Sequence, residues 1–228
     1  ELKGRAVRER ALALISIAHP KFRPDLLSAA KQRRFVTVDQ IPWPEKGRPY
    51  PVELETSVEF KGTEIQFRPI RPADERLLRD FFYSHSATTV RQRHRVPLKS
   101  LSATQIQELC TIDYDEQMAI AGFVRDGESE RIVAVSRWVL DRASGFAEVA
   151  FTVHEEFQGR GVGSYLLRRM IDLARVHGIQ GFTGTVLRDN VRMMNAFHRC
   201  GVPVESTLEE GVYTVTIRFA EEAPSATA

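Results

Sequence analysis

A glycine-rich turn in the middle of the chain could hold a phosphate group. Residues 158–163 read QGRGVG, with glycine at every second position. Glycine has no Cβ, so its backbone N–H groups can approach a ligand closely. An amphipathic helix follows at once, and the first N–H groups of a helix lack partners and lie at the positive end of its dipole. The turn therefore predicts a phosphate site, against the alternative of a tight turn that binds nothing.

Glu148 is the second candidate for chemistry, because it lies inside an apolar run just before this turn. Residues 147–153 are nearly all apolar or β-branched, which is typical of a strand in the middle of a sheet. A carboxylate there costs free energy unless it is paired, reached by solvent through a cleft, or used in a reaction. An ion pair with Arg137, or with another arginine on a neighbouring strand, is the structural alternative to a reactive role.

Other nucleotide and metal patterns do not fit. A Walker A loop needs Lys and Ser or Thr after its last glycine, where this chain has Ser164 and Tyr165. A dinucleotide fingerprint would need a glycine near Leu166 and parallel βαβ repeats around it. The sequence His-Glu-Glu at 154–156 lacks the second histidine of a zinc helix, and the two cysteines are far apart, so we expect no metal and reduced thiols.

The totals limit the possible partners. The chain has 228 residues, 32 basic and 30 acidic, which gives no electrostatic argument for nucleic acid. No apolar run approaches the ~18–20 residues that cross a membrane, and no signal peptide is present, so a cytoplasmic location is expected. The chain begins at Glu1 rather than methionine and is therefore expected to be part of a longer protein.

The first 51 residues predict a helical appendage and a linker. Residues 1–38 read as two helices, the first ended by His19-Pro20 and the second covering about 24–33. Residues 40–51 hold four prolines and a glycine, which excludes a helix or a central strand and indicates a linker.

The remainder predicts a sheet flanked by helices. Strands are expected at 52–60, 63–70, 117–125, 131–141, 147–153, 181–186 and 212–219, and helices at 73–83, 102–110, after the glycine turn and at 190–200. A five-residue loop is expected between the strands at 117–125 and 131–141. Residues 84–99 read as an irregular polar segment and 221–228 as a frayed tail.

This order of elements, with Gln158, Gly161 and Gly163 in the turn, resembles the GNAT superfamily of acyl-CoA-dependent N-acetyltransferases. The resemblance covers about 62–219 and points in particular to bacterial protein lysine acetyltransferase domains, through FRPIRPADE (67–75), PLKSLS (97–102), DYDEQMAI (113–120), AEVAFTV and QGRGVG. It implies an α/β (α+β) fold, with a mixed, mostly antiparallel central sheet flanked by helices and, here, an N-terminal helical appendage.

A second resemblance concerns the appendage. RERALALISIAHPKFRPDLLSAA (8–30) is similar to the C-terminal end of the acetyl-CoA hydrolase/CoA-transferase family. Together the two imply a CoA-transferase-like end at 1–39, a linker and leading strand at 40–61, the acetyltransferase domain at 62–220 and a disordered tail at 221–228. A fused CoA-transferase domain upstream is the expected partner. Its catalytic glutamate would lie outside this chain, so no CoA-transferase chemistry is assigned.

The first resemblance also implies a cofactor and its contacts. Acetyl-CoA would pair its pantetheine arm with the splayed strand at Phe151, Thr152 and Val153. Its pyrophosphate would lie against Gln158, Gly159, Arg160, Gly161, Val162, Gly163 and Ser164. Asn190 matches a family asparagine near the CoA arm. Phe197, seven residues later, takes the place of a tyrosine that in many members protonates the leaving thiolate.

Glu148 matches the catalytic glutamate of the family, where it would act as a general base. An amine must be neutral to attack, and a lysine is almost wholly protonated at neutral pH. Burial would raise the pKa of the carboxyl toward a useful range. Phe197 has no proton to give and Cys200 is expected to be packing, so the thiolate would leave unassisted. The resemblance implies a protein lysine as acceptor, with a small amine as the other possibility.

Two questions stay open at this stage. A domain fused to a CoA-transferase could instead sense acyl-CoA with little catalysis, which Phe197 permits and Glu148 opposes. The basic run 91–95 (RQRHR) could select an acidic surface or phosphate on the acceptor, could be a solvated loop, or could contact nucleic acid. Met193 and Met194 are expected in the core, and His85 and His94 receive no role.

Overall fold

The computed structural model describes residues 2, 4–44, 47–94, 100–127 and 129–219. The helices are α1 (Val7–Ile17), α2 (Arg23–Gln32), α3 (Glu75–Tyr83), α4 (Ala87–His94), α5 (Ala103–Cys110), α6 (Val162–Val176) and α7 (Val191–His198). The strands are β1 (Thr56–Phe60), β2 (Thr63–Pro69), β3 (Gln117–Asp126), β4 (Ser129–Asp141), β5 (Phe146–Val153), β6 (Gly181–Leu187), β7 (Val204–Glu209) and β8 (Val212–Arg218). The predicted tail at 221–228 and part of the PLKSLS motif lie outside these residues.

The eight strands form one sheet in the order β1-β2-β3-β4-β5-β6-β8-β7. Within the described residues, β5 and β6 are the one parallel pair, and every other neighbouring pair is antiparallel. The mixed, mostly antiparallel sheet that the sequence predicted is therefore confirmed.

β5 and β6 part after a short pairing. Phe146, Ala147 and Glu148 pair with Gly181, Phe182 and Thr183, and the ladder ends there. On its other side β5 pairs with β4 along its whole length. Among the described residues, no strand therefore pairs with this edge of β5 beyond Glu148.

The two faces of the sheet at β5 carry different helices, because side chains alternate along a strand. Trp138 of β4 faces the α6 side, where its ring lies 5.4 Å from that of His177. Arg137, one residue earlier, faces α5 and donates to the carbonyl oxygen of Leu109. The apolar face of α6 is buried as predicted, through Leu166, Leu167, Met170, Ile171 and Ala174.

The N-terminal helices have an apolar cluster of their own and are held to the rest of the chain. The cluster consists of Leu12, Ile15, Leu27, Ala30, Val36 and Trp43. Arg8 makes an ion pair with Glu75 at the start of α3 (2.7 Å), and the N–H of Ile41 donates to Gln107 (2.8 Å). The described part of the proline-rich segment has no helix or strand, as predicted, but Trp43 in it is buried, so it is not a free linker.

Four predictions of local structure were wrong. In the segment 84–99, which was expected to be irregular, Ala87–His94 form α4, and residues 95–99 lie outside the described residues. Ser86 fixes the start of α4, because its carbonyl accepts from the N–H of Val90 and its hydroxyl accepts from the N–H of Thr89. Val52–Leu54 is a 3-10 turn rather than strand, and β3 and β4 run to Asp126 and Ser129, so the loop between them is shorter than expected. β7 was not predicted at all. It is an edge strand whose side chains are almost all exposed, so it lacks an apolar alternation.

None of the described helices has the length and hydrophobicity needed to cross a membrane.

Candidate functional site

The glycine turn has the geometry of an anion site. Gly159 and Gly161 have φ of 69° and 95°, in the left-handed region that favours glycine. Gly161 caps α6, and the first backbone bond at that end runs from the N–H of Tyr165 to the carbonyl of Gly161 (3.0 Å). The N–H groups of Val162, Gly163 and Ser164 precede that bond and have no helical acceptor. They are available to a phosphate oxygen.

Gln158 ties the turn to its surroundings. Its Nε2 donates to the carbonyl oxygen of Val153 at the end of β5 (2.9 Å), and its Oε1 accepts from Arg192 of α7 (2.7 Å). The side chain therefore joins β5, the turn and α7. Arg160, also predicted as a contact, has its guanidinium 5.1 Å from the centre of the Phe157 ring.

Two basic residues beside the turn were missed in the sequence. Lys61, in the β1–β2 hairpin, donates to the carbonyl of Gly159 (3.4 Å), and Arg192 reaches Gln158. The hairpin is held there by contact between the rings of Phe60 and Tyr165, 5.7 Å apart. Lys61 lies 98 residues from Gly159 along the chain, so no local spacing could have linked the two.

Glu148 lies where β5 and β6 part, at the edge of a cleft of about 210 Å³. The side chain is exposed, so the expectation that it would be buried was wrong: the divergence of β6 uncovers it. The alternative ion pair with Arg137 is not formed, and within the part of the chain that the structure describes Glu148 has no ion pair or side-chain hydrogen bond. It is a carboxylate open to a cleft.

The structure brings Asn190, Phe151 and Phe197 to the same cleft. Asn190 caps α7 by accepting from the N–H of Met193 (3.2 Å). Phe151 and Phe197 are buried, with ring centres 6.3 Å apart in an edge-to-face arrangement. Cys200 is buried and its thiol donates to the carbonyl of Val202 (3.6 Å), as expected for packing.

Thr152 and Val153, the remaining predicted contacts on β5, point to opposite faces of the sheet. Thr152 lines a second cavity under α3 and α4. Val153 lies on the α6 side, where its Cγ2 would be 3.7 Å from a Cβ at Gly163. Both precede the glycine turn on the part of β5 that β6 leaves unpaired.

The loop before α4 is anchored to the end of β5. Glu155 accepts from the N–H of Ser86 (2.9 Å), and its Oε2 lies 3.5 Å from Nδ1 of the buried His85. Burial alone would raise the pKa of Glu155, but hydrogen bonds from Thr89 and Ser86 outweigh it and hold that pKa well below its usual range.

In the basic run at 91–95, Arg91 pairs with Asp189, Arg93 lines the cleft, and Arg95 is not among the described residues.

Two family models match the sequence. The model of the acetyltransferase (GNAT) family matches residues 77–202, more than half of the 228 residues. The model of the acetyl-CoA hydrolase/transferase C-terminal domain matches residues 1–30.

Individual relatives are acetyltransferases too, in agreement with the match to the GNAT family model. An acetyltransferase of Pseudomonas aeruginosa is 31% identical over 119 residues, which cover 52% of this chain and 64% of the relative. Acetyltransferase Pat of Mycolicibacterium smegmatis is 33% identical over 157 residues, covering 67% of this chain and 44% of Pat. The chain thus spans less than two thirds of either relative. The crystal structure of the GNAT domain of S. lividans PAT superposes with a TM-score of 0.67 at 28% identity, covering 75% of this chain and 99% of that domain.

Proposed function

Because this chain belongs to the acetyltransferase (GNAT) family, we propose that it moves an acetyl group from acetyl-CoA directly to an amine. The observation that carries the proposal is the alignment of three features along β5. The carboxylate of Glu148 lies where β6 departs, an unpaired backbone edge follows, and the free N–H groups of the glycine turn lie just past the end of the strand.

In this proposal the cofactor lies along that edge. The pyrophosphate accepts hydrogen bonds from the N–H groups at 162–164, with Lys61 and Arg192 near enough to offset its charge. The pantetheine arm pairs with the backbone of Phe151, Thr152 and Val153 as an added strand. About five residues separate Glu148 from the end of β5, or ~17 Å at the usual rise per residue. The thioester then lies at the Glu148 end of the cleft.

Glu148 is the proposed general base. An approaching ammonium gives a proton to the carboxylate, directly or through a water molecule, and the neutral nitrogen attacks the thioester carbonyl. The N–C bond forms as the C–S bond breaks, CoA leaves as a thiolate, and the second proton of the attacking nitrogen passes to water as the amide forms. Phe197 donates no proton, and a thiol pKa near ~8.5 makes the thiolate an adequate leaving group.

The acceptor is proposed to be a protein lysine. The support is the resemblance of 62–219 to bacterial protein lysine acetyltransferases and the 33% identity to acetyltransferase Pat. The match of residues 1–30 to the end of an acetyl-CoA hydrolase/transferase domain supports a fused domain upstream. Enzymes of acetate metabolism are therefore the first acceptors to test.

The test is an acetylation assay with mass spectrometry. The chain is incubated with acetyl-CoA and candidate proteins, lysine peptides or small amines, and calorimetry measures acetyl-CoA binding in parallel. Acetylated lysines that depend on the protein and on acetyl-CoA are expected. Acetyl-CoA binding without acetylation of any acceptor in the panel would favour an acyl-CoA-sensing domain and count against an enzyme.

Asn190 allows its structural role and its proposed cofactor role to be separated. Its Oδ1 caps α7, while its amide nitrogen makes no hydrogen bond within the described residues. Asn190→Asp keeps a good cap but loses the amide donor, so we expect the free energy of unfolding to change by less than about 0.5 kcal/mol and the KM for acetyl-CoA to rise about 5-fold. Asn190→Ala should also lose about 1 kcal/mol of stability. A wild-type KM in the aspartate variant would contradict the cofactor contact.

A further inference from the structure

A second cavity lies beside the Glu148 cleft, between the helices α3–α5 and the face of β4 and β5. Its volume is about 80 Å³, and about 10–15 Å³ suffices for one water molecule, so it can hold a chain of several heavy atoms. Ala150 and Arg93 line both the cavity and the cleft, which places the cavity next to the proposed reaction centre. Most of its wall is apolar, formed by Leu78, Phe81, Phe82, Val90, Leu101, Leu109 and Val135.

Arg137 lines this apolar cavity, and among the described residues it forms no ion pair with a carboxylate. Its guanidinium donates to the carbonyl of Leu109, and no Asp or Glu is among the described residues that line the cavity. Burial lowers the pKa of Arg137 to about 10, so the guanidinium still carries its charge at neutral pH. The guanidinium is partly buried, and a cation withdrawn from water without an anion is costly, so a negative group would be a favourable ligand at this site.

A second cation lies at the same cavity. Arg93 lines it as well, and its positive charge acts on Arg137 in the direction that lowers the pKa of Arg137. His85 also lines the cavity, but it adds no attraction for an anion. Burial lowers the pKa of His85 and its Nδ1 faces the Glu155 carboxylate (3.5 Å), so its Nε2 is the unprotonated nitrogen.

We propose that this cavity is a subsite for a carboxylate on a short aliphatic chain, carried by one of the two substrates. Arg137 binds the carboxylate, because its planar guanidinium offers paired N–H donors that match the two oxygens. The apolar walls contact the methylene groups of the chain. The inference rests on the proposed acyl transfer and names a substrate class for it. The carboxylate itself does not react.

Two sources present this chemistry to the cavity. The acyl group can carry it, as in a dicarboxylic acid bound to CoA through one carboxyl. The acceptor amine can carry it instead. Arg137 lies opposite Ala150 in the β4–β5 ladder and is therefore a diagonal neighbour of Glu148 on the same face of the sheet. The Cα atoms of such diagonal neighbours are about 7–8 Å apart. The two sources are distinguished by pairs of probes that differ in the carboxylate alone.

Calorimetry on the whole chain compares succinyl-CoA with butyryl-CoA, and 4-aminobutanoate with butylamine in the presence of CoA. In each pair a carboxylate replaces a methyl group. Wild type is expected to bind the carboxylate member of one pair about 10- to 100-fold more tightly, the usual scale for hydrogen bonds to charged groups. Equal affinities within both pairs would overturn the proposal without any variant being needed.

Variants then assign the preference to Arg137. Arg137→Gln is expected to reduce the carboxylate preference to about 3-fold or less, and Arg137→Lys to restore part of it, because the charge returns without the paired donors. Arg142→Gln, an exposed arginine just after β4 that pairs with Glu116, is the matched control and should keep the full preference. A folded Arg137→Gln protein with a wild-type preference would refute the assignment.

Turnover of acetyl-CoA with lysine peptides distinguishes this inference from the proposed function. If turnover is seen and neither probe pair shows a preference, the transferase proposal stands and the subsite does not. A carboxylate preference in binding without any transfer would reject the enzyme but keep the subsite.

Discussion

Replacing Glu148 by glutamine is expected to lower kcat for acetyl transfer by ~10² or more, while the affinity for acetyl-CoA stays close to that of wild type. A loss of this size is typical when a general acid or base is removed. Glutamine has nearly the same size and keeps the polarity of the cleft, and it cannot take a proton from the incoming amine. Because Glu148 has no ion pair among the described residues, its replacement leaves no buried charge behind.

The measurement is steady-state turnover at saturating acetyl-CoA, together with calorimetry of acetyl-CoA binding to the variant. Glu59→Gln, an exposed glutamate on the edge strand β1, is the control for the general effect of removing one negative charge. A kcat for Glu148→Gln within about 3-fold of both wild type and the control would mean that another group, or water alone, removes the proton.

Asp74→Ala is expected to have the largest effect on stability, about 3–5 kcal/mol lost from the free energy of unfolding. Arg68 and Asp74 form a buried ion pair with side chains 5% and 3% exposed, joined by hydrogen bonds of 2.7 and 2.9 Å. Asp74 also accepts from the N–H of Arg71 (2.8 Å). Removing the carboxylate leaves a buried guanidinium and that N–H unsatisfied. Glu130, whose Oε2 is 3.6 Å from Arg68, keeps the loss toward the lower end of the range.

Denaturant unfolding of three variants tests the cause. The double variant Arg68→Met with Asp74→Leu should recover much of the loss, because neither charge is then left alone in the interior. Asp115→Ala breaks the exposed pair with Arg48 and should cost no more than about 1 kcal/mol. If Asp74→Ala lost as little as Asp115→Ala, the buried pair would not be an important source of stability.

The parts of the fold with strong local patterns could be predicted from the sequence. The apolar stripe of α6, the glycines of the turn and the strand at 147–153 each carry their own signal, and their positions are confirmed within a residue or two. β7 carries none, because an exposed edge strand needs no apolar alternation. α4 was missed for a related reason: it is short and rich in polar residues, so its apolar period is weak.

The site was predictable where residues are neighbours in sequence and unpredictable where the fold brings them together. The turn and the position of Glu148 could be located. That Glu148 would be exposed depends on where β6 leaves β5, and that Lys61 would reach Gly159 depends on how a distant hairpin packs. That no Asp or Glu is among the described residues lining the cavity of Arg137 also depends on how α3–α5 pack on the sheet.

The two hydrogen bonds of Gln158 bear on the conformational entropy of binding. A segment with three glycines has more conformational freedom in the unfolded chain than a glycine-free segment of the same length, and fixing it is costly. In this protein Val153 and Arg192 fix the start of the turn, and α6 fixes its end. The turn is therefore ordered when the chain folds, before any ligand arrives. A phosphate that binds to it gains the full attraction of the N–H groups without first having to immobilise them.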